Sequence, residues 1–198
     1  MQGIQRITPN VYVNTQFTDP PYGGCNYAFI ATTDGVVMID TPLRPTAAIQ
    51  WRDEIAKYGE VRYILNTEYH VDHISGNYFF PGTVISHRGV REMFTAPIEK
   101  VIPYEMARVA LARGFDLRAF IISLFEKLDP AGLALAPNYQ PRPPGITFND
   151  NLTLHLGEHT FEMMHLPGHT AYQVGVYIPE EKVFFPGDNF GNKAKKMV

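Results

Sequence analysis

Four side chains that could bind a metal ion fall within six residues of this sequence, in the stretch Glu68-Tyr69-His70-Val71-Asp72-His73. Two further candidates, His169 and Asp188, lie far downstream. Imidazole nitrogens and carboxylate oxygens together suit zinc, iron or manganese, and the lack of thiolates argues against a structural zinc site built from cysteines. The sequence therefore predicts a metal site that draws on all six of these residues.

The spacing within the stretch indicates two ions rather than one. Glu68 and His70 are two residues apart, so in an extended segment their side chains leave on the same side. Asp72 and His73 are adjacent, so they point in different directions and can serve a second ion. Two ions about 3.5–4 Å apart can share a hydroxide, and metal binding lowers the pKa of water from about 15.7 towards about 7. Asp188 is the natural bridge, since a carboxylate has two oxygens to offer.

Each group of candidate ligands directly follows a predicted strand. The apolar run 61–65 leads into the stretch that begins with Glu68, the run ending at residue 165 leads into the Pro-Gly-His-Thr turn with His169, and the run 183–185 leads into Gly187-Asp188. Loops at strand ends on one edge of a sheet converge in space, and α/β proteins usually hold their sites there. We therefore expect the three groups to meet.

The remaining pattern predicts a sheet that is covered by helices. Ala48, Trp51, Ile55 and Tyr58 share one face of a helix that begins near residue 45 and ends at Gly59. A strand, a helix and a mostly apolar strand over 61–65 follow one another here, which is typical of an α/β arrangement. Short β-branched or aromatic runs predict further strands over 11–13, 26–31, 36–40, 84–86, 146–148, 152–156, 160–165 and 174–178.

Residues 95–145 are interpreted as a helical and Pro-rich insertion within a single domain that spans 1–198. Apolar residues at helical spacing from Leu117 to Leu128 form a stripe, which either packs on the core or covers a substrate pocket as a lid. Residues 129–144 contain five prolines and are predicted to be a loop.

Composition excludes several classes of protein. The formal net charge is −3 and the basic residues are scattered, which argues against a nucleic-acid partner. No apolar run approaches the roughly 18 residues that span a bilayer, and the N-terminus lacks a leader pattern, so we expect a soluble, cytoplasmic protein. The single cysteine, Cys25, is predicted to be a buried structural thiol. His87 and His165 are expected to have structural roles, and His155 and His159 to be solvated.

The motifs, taken in order, resemble those of the metallo-β-lactamase superfamily. That family has a His-x-His-x-Asp-His motif, then a histidine in a Pro-Gly-His-Thr turn, then an aspartate in a Gly-Asp at a strand end. The resemblance covers nearly the whole chain and includes Val37-Met38-Ile39-Asp40-Thr41-Pro42. It implies an αββα sandwich. It also implies a site in which Glu68, His70 and His169 hold one metal, Asp72 and His73 hold the second, and Asp188 lies between the two.

Two features depart from the family pattern. Glu68 stands where the family usually has histidine, so it either adds a hard carboxylate ligand, which favours iron or manganese beside zinc, or turns away and leaves a single metal. The chain ends at Val198, and no histidine follows His169, although the family usually supplies a later second-site histidine. We expect a C-terminally short chain whose site is completed by a partner or holds its second metal poorly, and whose exposed sheet favours a homo-oligomer.

The resemblance implies a metal-dependent hydrolase that uses a metal-bound hydroxide on an ester, lactone, thioester, amide or similar bond of a small molecule. Asp72 would also orient the hydroxide or relay a proton. Zinc, one or two ions, is the expected cofactor, with iron or manganese as alternatives. Two other functions stay open at this point: a di-iron redox protein on the same fold, and a catalytically weak or non-catalytic module.

Overall fold

The computed structural model of the protein describes residues 4–15, 24–95 and 116–190. Two β-sheets face each other within these residues. The strands of the first sheet lie side by side in chain order, and pairing is antiparallel from β1 to β4 and parallel from β4 to β7. These strands are β1 (Ile4–Arg6), β2 (Val11–Asn14), β3 (Tyr27–Thr32), β4 (Gly35–Ile39), β5 (Val61–Leu65), β6 (Thr83–His87) and β7 (Ile146–Phe148).

The second sheet is antiparallel throughout and has the order β11-β10-β9-β8. Its strands are β8 (Asn151–Leu156), β9 (His159–His165), β10 (Val174–Ile178) and β11 (Val183–Phe185). The described α-helices are α1 (Pro45–Ile55), α2 (Val71–Ile74), α3 (Arg88–Met93), α4 (Leu117–Leu128) and α5 (Pro130–Ala134), and a 3-10 helix, Ser75–Phe79, follows α2. None of the described helices is both long and apolar enough to cross a bilayer.

The alternation of side chains along β4 divides the core into two layers. Val36 and Met38 point to one face and pack with Trp51 of α1, whereas Val37 and Ile39 point to the other face and pack against the second sheet. Because both faces are covered, apolar residues occupy four consecutive positions, 36–39, of this strand.

Helix α4 packs on the core. Its side chains Ile121, Leu124 and Phe125 are buried in the same layer as Trp51, which favours packing over the lid. The predicted insertion over 95–145 also includes residues 96–115, which lie outside the described residues. The prediction of an unbroken loop over 129–144 is wrong, because α5 forms there: Pro130 is its first residue and the Asp129 side chain accepts a hydrogen bond from Gly132 N.

The two sheets are joined at both ends. At one end Val174 N donates to Thr67 O at 2.7 Å, beside the candidate ligands. At the other end His159 is 2% exposed and its Nε2 lies 2.8 Å from Glu181 Oε1, which also accepts from Asn10 Nδ2. The prediction that His159 is solvated is therefore wrong, since a turn from the start of the chain covers it.

Candidate metal centre

Glu68 lies in the middle of the candidate ligands. It follows β5, its side chain is fully buried, and neither carboxylate oxygen makes a hydrogen bond with a described residue. Instead, Oε2 is 2.6 Å from His70 Nδ1, and Oε1 is 3.4 Å from His73 Nε2 and 3.6 Å from His169 Nε2. Burying a carboxylate is costly unless a cation or hydrogen-bond donors balance its charge. An ion among these nitrogens would satisfy both oxygens, so the residues present fit a metal.

Glu68, His70 and His169 form what we call the first donor group. Nε2 of His169 lies 3.2 Å from Nδ1 of His70. Two ligands at tetrahedral positions around a zinc ion are about 3.3–3.4 Å apart, given bonds of about 2.0–2.1 Å. His70 is 32% and His169 42% exposed, so one side of the group is open to solvent. An open side is typical of catalytic rather than structural metal sites.

Glu68, His73 and Asp188 form the second donor group. His73 is 1% exposed, and its Nε2 makes no hydrogen bond with a described residue. Asp188 Oδ1 lies 3.6 Å from that nitrogen, and Oδ2 lies 4.0 Å from His169 Nε2. The interaction with His73 is the main cause of the lowered pKa of Asp188, which keeps this carboxylate ionised and suited to a cation.

Asp40, at the carboxyl end of β4, orients His73. Its Oδ2 lies 2.9 Å from His73 Nδ1, and the backbone N and hydroxyl of Thr67 donate to the same carboxylate. With the Nδ1 proton held by a carboxylate, the Nε2 lone pair points into the second donor group. In the sequence, Asp40 belongs to the run 37–42 that resembles the family, but no role was predicted for it. The signal in the sequence was its position at the end of a predicted strand, and the next strand in order leads into the candidate ligands.

A second set of buried polar groups holds the backbone of α2 at His73. Thr41 Oγ1 and Asn66 Nδ2 both donate to His73 O, at 2.9 and 3.1 Å. Asn66 and Asn77 exchange hydrogen bonds between their side chains, so each buried amide is satisfied. This network holds the His73 carbonyl within α2, and with it the backbone that carries the His73 ring.

Asn189 holds the turn that carries His169. Its Oδ1 accepts from His169 N at 2.8 Å, and its Nδ2 donates to Leu166 O at 2.7 Å. A Cβ on Gly168 would lie 2.2 Å from that oxygen, so the turn needs glycine there. The role of Asn189 was not predicted from the sequence, in which its position directly after Asp188 is the one relevant signal.

Asp72 is half-buried and lies in neither donor group. Burial raises its pKa, against the charges of His73 and His70, which lower it. The roles given to Asp72, as a second-site ligand and as a proton relay, therefore stay predictions. So does the bridge by Asp188.

Cys25 is confirmed as a buried thiol. Its Sγ lies 3.0 Å from Asp72 O, and burial raises its pKa to about 12. It lies near Asp40 and His73. Since the thiol stays protonated and the Asp40 carboxylate is occupied by Thr67, we do not count these three side chains as a metal site.

His87 and His165 are also confirmed as structural. Nδ1 of His87 accepts from Gly89 N at the start of α3, and its ring stacks on His165 with the ring centres 4.3 Å apart. Nε2 of His165 lies 2.9 Å from Ala171 O. Both rings are thus engaged outside the donor groups.

Comparison with known proteins gives a consistent result. The family model described as the metallo-β-lactamase superfamily matches residues 20–198. A metallo-β-lactamase type 2 of Elizabethkingia meningoseptica is 25% identical over 191 residues, which are 93% of this chain and 60% of that protein. The chain thus spans less than two thirds of the length of this relative.

Solved structures share the fold. The metallo-β-lactamase from Pontibacter korlensis aligns with a TM-score of 0.57 at 19% identity, over 92% of this chain and 69% of that one. A subclass B3 metallo-β-lactamase described as the first with an active-site glutamic acid aligns with a TM-score of 0.52 at 22% identity, over 88% of this chain and 56% of that one. The αββα sandwich expected from the sequence is confirmed, and the chain belongs to the metallo-β-lactamase superfamily.

Proposed function

We propose that the protein is a metal-dependent hydrolase that acts on a small molecule at the open side of the two donor groups. The observation that carries the proposal is Glu68, a fully buried carboxylate without a hydrogen bond among the described residues, placed within 3.6 Å of three imidazole nitrogens. His70, His169, His73 and Asp188 would complete the ligand set. Zinc is the first candidate, and the added carboxylate makes manganese and iron candidates too.

A bound metal supplies a nucleophile near neutral pH by lowering the pKa of water, and it polarises the substrate oxygen. The chain's own residues would bind the substrate, orient it and accept a proton. Asp72, whose pKa burial raises, would accept a proton at its carboxylate. Tyr69 lies against His70, with ring centres 4.9 Å apart, and faces Tyr172. This aromatic surface would hold the apolar part of an ester, lactone, thioester or amide.

The test compares protein stripped of metal with protein reloaded with zinc, manganese or iron, on a panel of esters, lactones, thioesters and β-lactams. β-Lactams belong in the panel because the matched relatives are β-lactamases. We expect hydrolysis of at least one class by the loaded protein only. His169→Ala should abolish it, whereas His155→Ala, on the exposed face of β8, should not. Metal-loaded protein that hydrolyses nothing on the panel would contradict the proposal.

A di-iron redox protein is the second candidate, because Glu68 and Asp188 give the ligand set two carboxylates. Iron-loaded protein would then show absorbance that changes on reduction and reoxidation. Colourless protein that is active with zinc would rule this candidate out. A non-catalytic module is the remaining alternative, and it predicts neither metal binding nor hydrolysis.

A further inference from the structure

Gln173 lies where segments that carry the candidate ligands meet. Its backbone oxygen accepts a hydrogen bond from Leu166 N at 2.8 Å and so closes the turn that carries His169. Its neighbour along the chain donates a backbone hydrogen bond of 2.7 Å to Thr67 O, directly before Glu68. The position of this one residue is therefore fixed relative to two of the ligand segments.

The side chain of Gln173 reaches the third segment, which carries Asp188. A Cβ on Gly187 would overlap Nε2 of Gln173 and would lie 3.0 Å from Thr67 Oγ1, so the amide packs directly on the glycine. Gly187 also has a φ of +58°, which residues with a side chain rarely adopt. The turn that presents Asp188 therefore rests on the amide of Gln173.

This amide is buried without a partner. Gln173 is 0% exposed, and neither its Nε2 nor its Oε1 makes a hydrogen bond with a described residue. A buried amide that lacks hydrogen bonds destabilises the folded state, and a methionine of similar length would fill the space without that cost. Packing alone therefore does not account for a glutamine here, whereas a hydrogen bond formed on metal binding does.

The position of Asp188 fits such a change. Its Oδ1 lies 3.6 Å from His73 Nε2, and its Oδ2 lies 4.0 Å from His169 Nε2. Two ligand atoms around a tetrahedral zinc ion are about 3.3–3.4 Å apart, so Asp188 would lie closer to these imidazoles when it binds an ion. The Gln173 amide, next to the residue before Asp188, is in place to hold the turn there.

We propose that Gln173 is a positioning residue of the metal centre, whose amide hydrogen-bonds the turn of Gly187 and Asp188 and holds Asp188 in its metal-binding position. The inference rests on the proposed metal-dependent function and adds a role outside the ligand set. It has two consequences of opposite sign. The amide lowers the stability of the metal-free protein, and it raises the affinity of the protein for metal.

The experiment separates these two consequences. Gln173→Met keeps the length of the side chain and removes the amide, and Gln50→Met, on an exposed position of α1, is the matched control. Each protein is titrated with Co²⁺, whose visible absorption reports the geometry of its ligands, and the metal-free proteins are unfolded in urea.

For Gln173→Met we expect a changed Co²⁺ spectrum and a Kd for Co²⁺ that rises by more than about 10-fold, the least that loss of an outer partner of a metal ligand typically costs. The urea midpoint of the metal-free variant should equal or exceed that of the wild-type protein, because an unpaired buried amide has been removed. Gln50→Met should leave the spectrum, the Kd and the midpoint unchanged.

A double-mutant cycle tests the contact itself. Gly187→Ala places a methyl group against the amide of Gln173 in a strained backbone conformation, so it should also weaken Co²⁺ binding. In the Gln173→Ala background the methyl group has space, and the loss of affinity caused by Gly187→Ala should be at least about 2-fold smaller there. Losses that simply multiply would show that the two residues do not act together.

Two further results would overturn the positioning role. One is a Gln173→Met protein with the wild-type Kd and spectrum. The other is a lowered urea midpoint of metal-free Gln173→Met, which would make the amide a structural group of the metal-free fold. Hydrolysis assays on the same samples separate this proposal from the proposed function. A wild-type protein that binds Co²⁺ and hydrolyses nothing contradicts only the function, unchanged binding by Gln173→Met in an active protein contradicts only the positioning role, and a wild-type protein that binds no Co²⁺ contradicts both.

Discussion

The carboxylate of Asp40 receives two hydrogen bonds from Thr67 and holds the Nδ1 side of His73, so it acts on the metal through a ligand. Asp40→Asn keeps the shape and removes the charge. We expect metal affinity to fall by about 10–100-fold, because outer partners of histidine ligands typically contribute that much. Competition with a coloured chelator measures the change. Asp34→Asn, in the exposed turn after β3, is the control, and an affinity equal to that of the wild-type protein would show that Asp40 has no such role.

Cys25 provides a test of burial at a single atom, since it is the only cysteine in the sequence. Its thiol is 7% exposed, and burial raises its pKa to about 12, so little thiolate forms near pH 8. We expect a disulfide reagent that absorbs on reaction to label the thiol in urea and to leave it unlabelled in native buffer over the same time. Rapid labelling of the native protein would contradict the buried position.

The sequence predicted the convergence of the three loops, because it follows from a local feature, the position of each loop directly after a strand. It could not predict the roles of Asp40 and Asn189. Asp40 acts on a histidine 33 residues away, and Asn189 on a turn 20 residues away. Neither contact leaves a periodic trace in the sequence, and both side chains are common in turns.

Among the helices, α1 and α5 share one capping residue. Asp129 Oδ2 accepts from the backbone N and hydroxyl of Thr46 in the first turn of α1, and Oδ1 accepts from Gly132 N in α5. Asp129→Ala should therefore lower the free energy of unfolding by about 2–3 kcal/mol. Loss of each helix cap contributes about 1 kcal/mol, and loss of a further buried hydrogen bond contributes the rest.

Urea denaturation followed by the fluorescence of Trp51, the only tryptophan, measures this loss. Asp116→Ala is the matched comparison, because Asp116 caps α4 alone, at an exposed position, and its loss should cost about 1 kcal/mol. Equal losses in the two variants would contradict the double cap.

The strands were the best predicted elements. β5, β7, β10 and β11 have the predicted bounds, because each is a short apolar or β-branched run between turn residues. β1 was missed because Ile4–Arg6 is largely exposed and pairs with β2 through its backbone, which no side-chain pattern records. α5 was missed because the five prolines over 129–144 predicted a loop, although proline fits the first turn of a helix, where Pro130 lies.

At the scale of the whole molecule, carboxylates connect the two sheets at the end of the sandwich that lies away from the metal centre. Glu158 Oε2 accepts from the backbone N and hydroxyl of Thr33, and these bonds lower the pKa of Glu158 from 4.5 to about 2. A lowered pKa in the folded state means that the contribution to stability is complete above about pH 4.5 and is lost as the pH falls towards about 2. Because Glu158 is 47% exposed, we expect less than about 1 kcal/mol.

The measurement is urea denaturation of the wild-type protein and Glu158→Gln at several pH values between 7 and 3. The difference in free energy of unfolding between the two proteins should shrink as the pH falls. Protonation removes the negative charge of Glu158 from the wild-type protein, and the variant lacks that charge at every pH. Glu126→Gln, on an exposed position of α4, should show a smaller difference at neutral pH. A difference that stays constant down to pH 3 would show that the Glu158 charge contributes nothing.

His159 shows why contacts across the whole molecule are the hardest to predict. In the sequence His159 directly follows the turn Gly157-Glu158, and residues beside such polar turns are usually exposed to solvent. Its burial depends on Glu181 and, through it, on Asn10, which is 171 residues away from Glu181. Only the closed sandwich brings the start of the chain onto this hairpin.

The separation of the candidate ligands along the chain determines the order in which the protein folds and binds metal. His70 and His169 are 99 residues apart, and the Val174–Thr67 hydrogen bond that seats the second sheet beside them spans a similar length. A ribosome releases Glu68 and His70 long before the second sheet exists, and closing so long a loop is a slow step. We therefore expect metal to enter after the folding barrier. In stopped-flow experiments, added metal should slow unfolding and leave the rate of refolding unchanged.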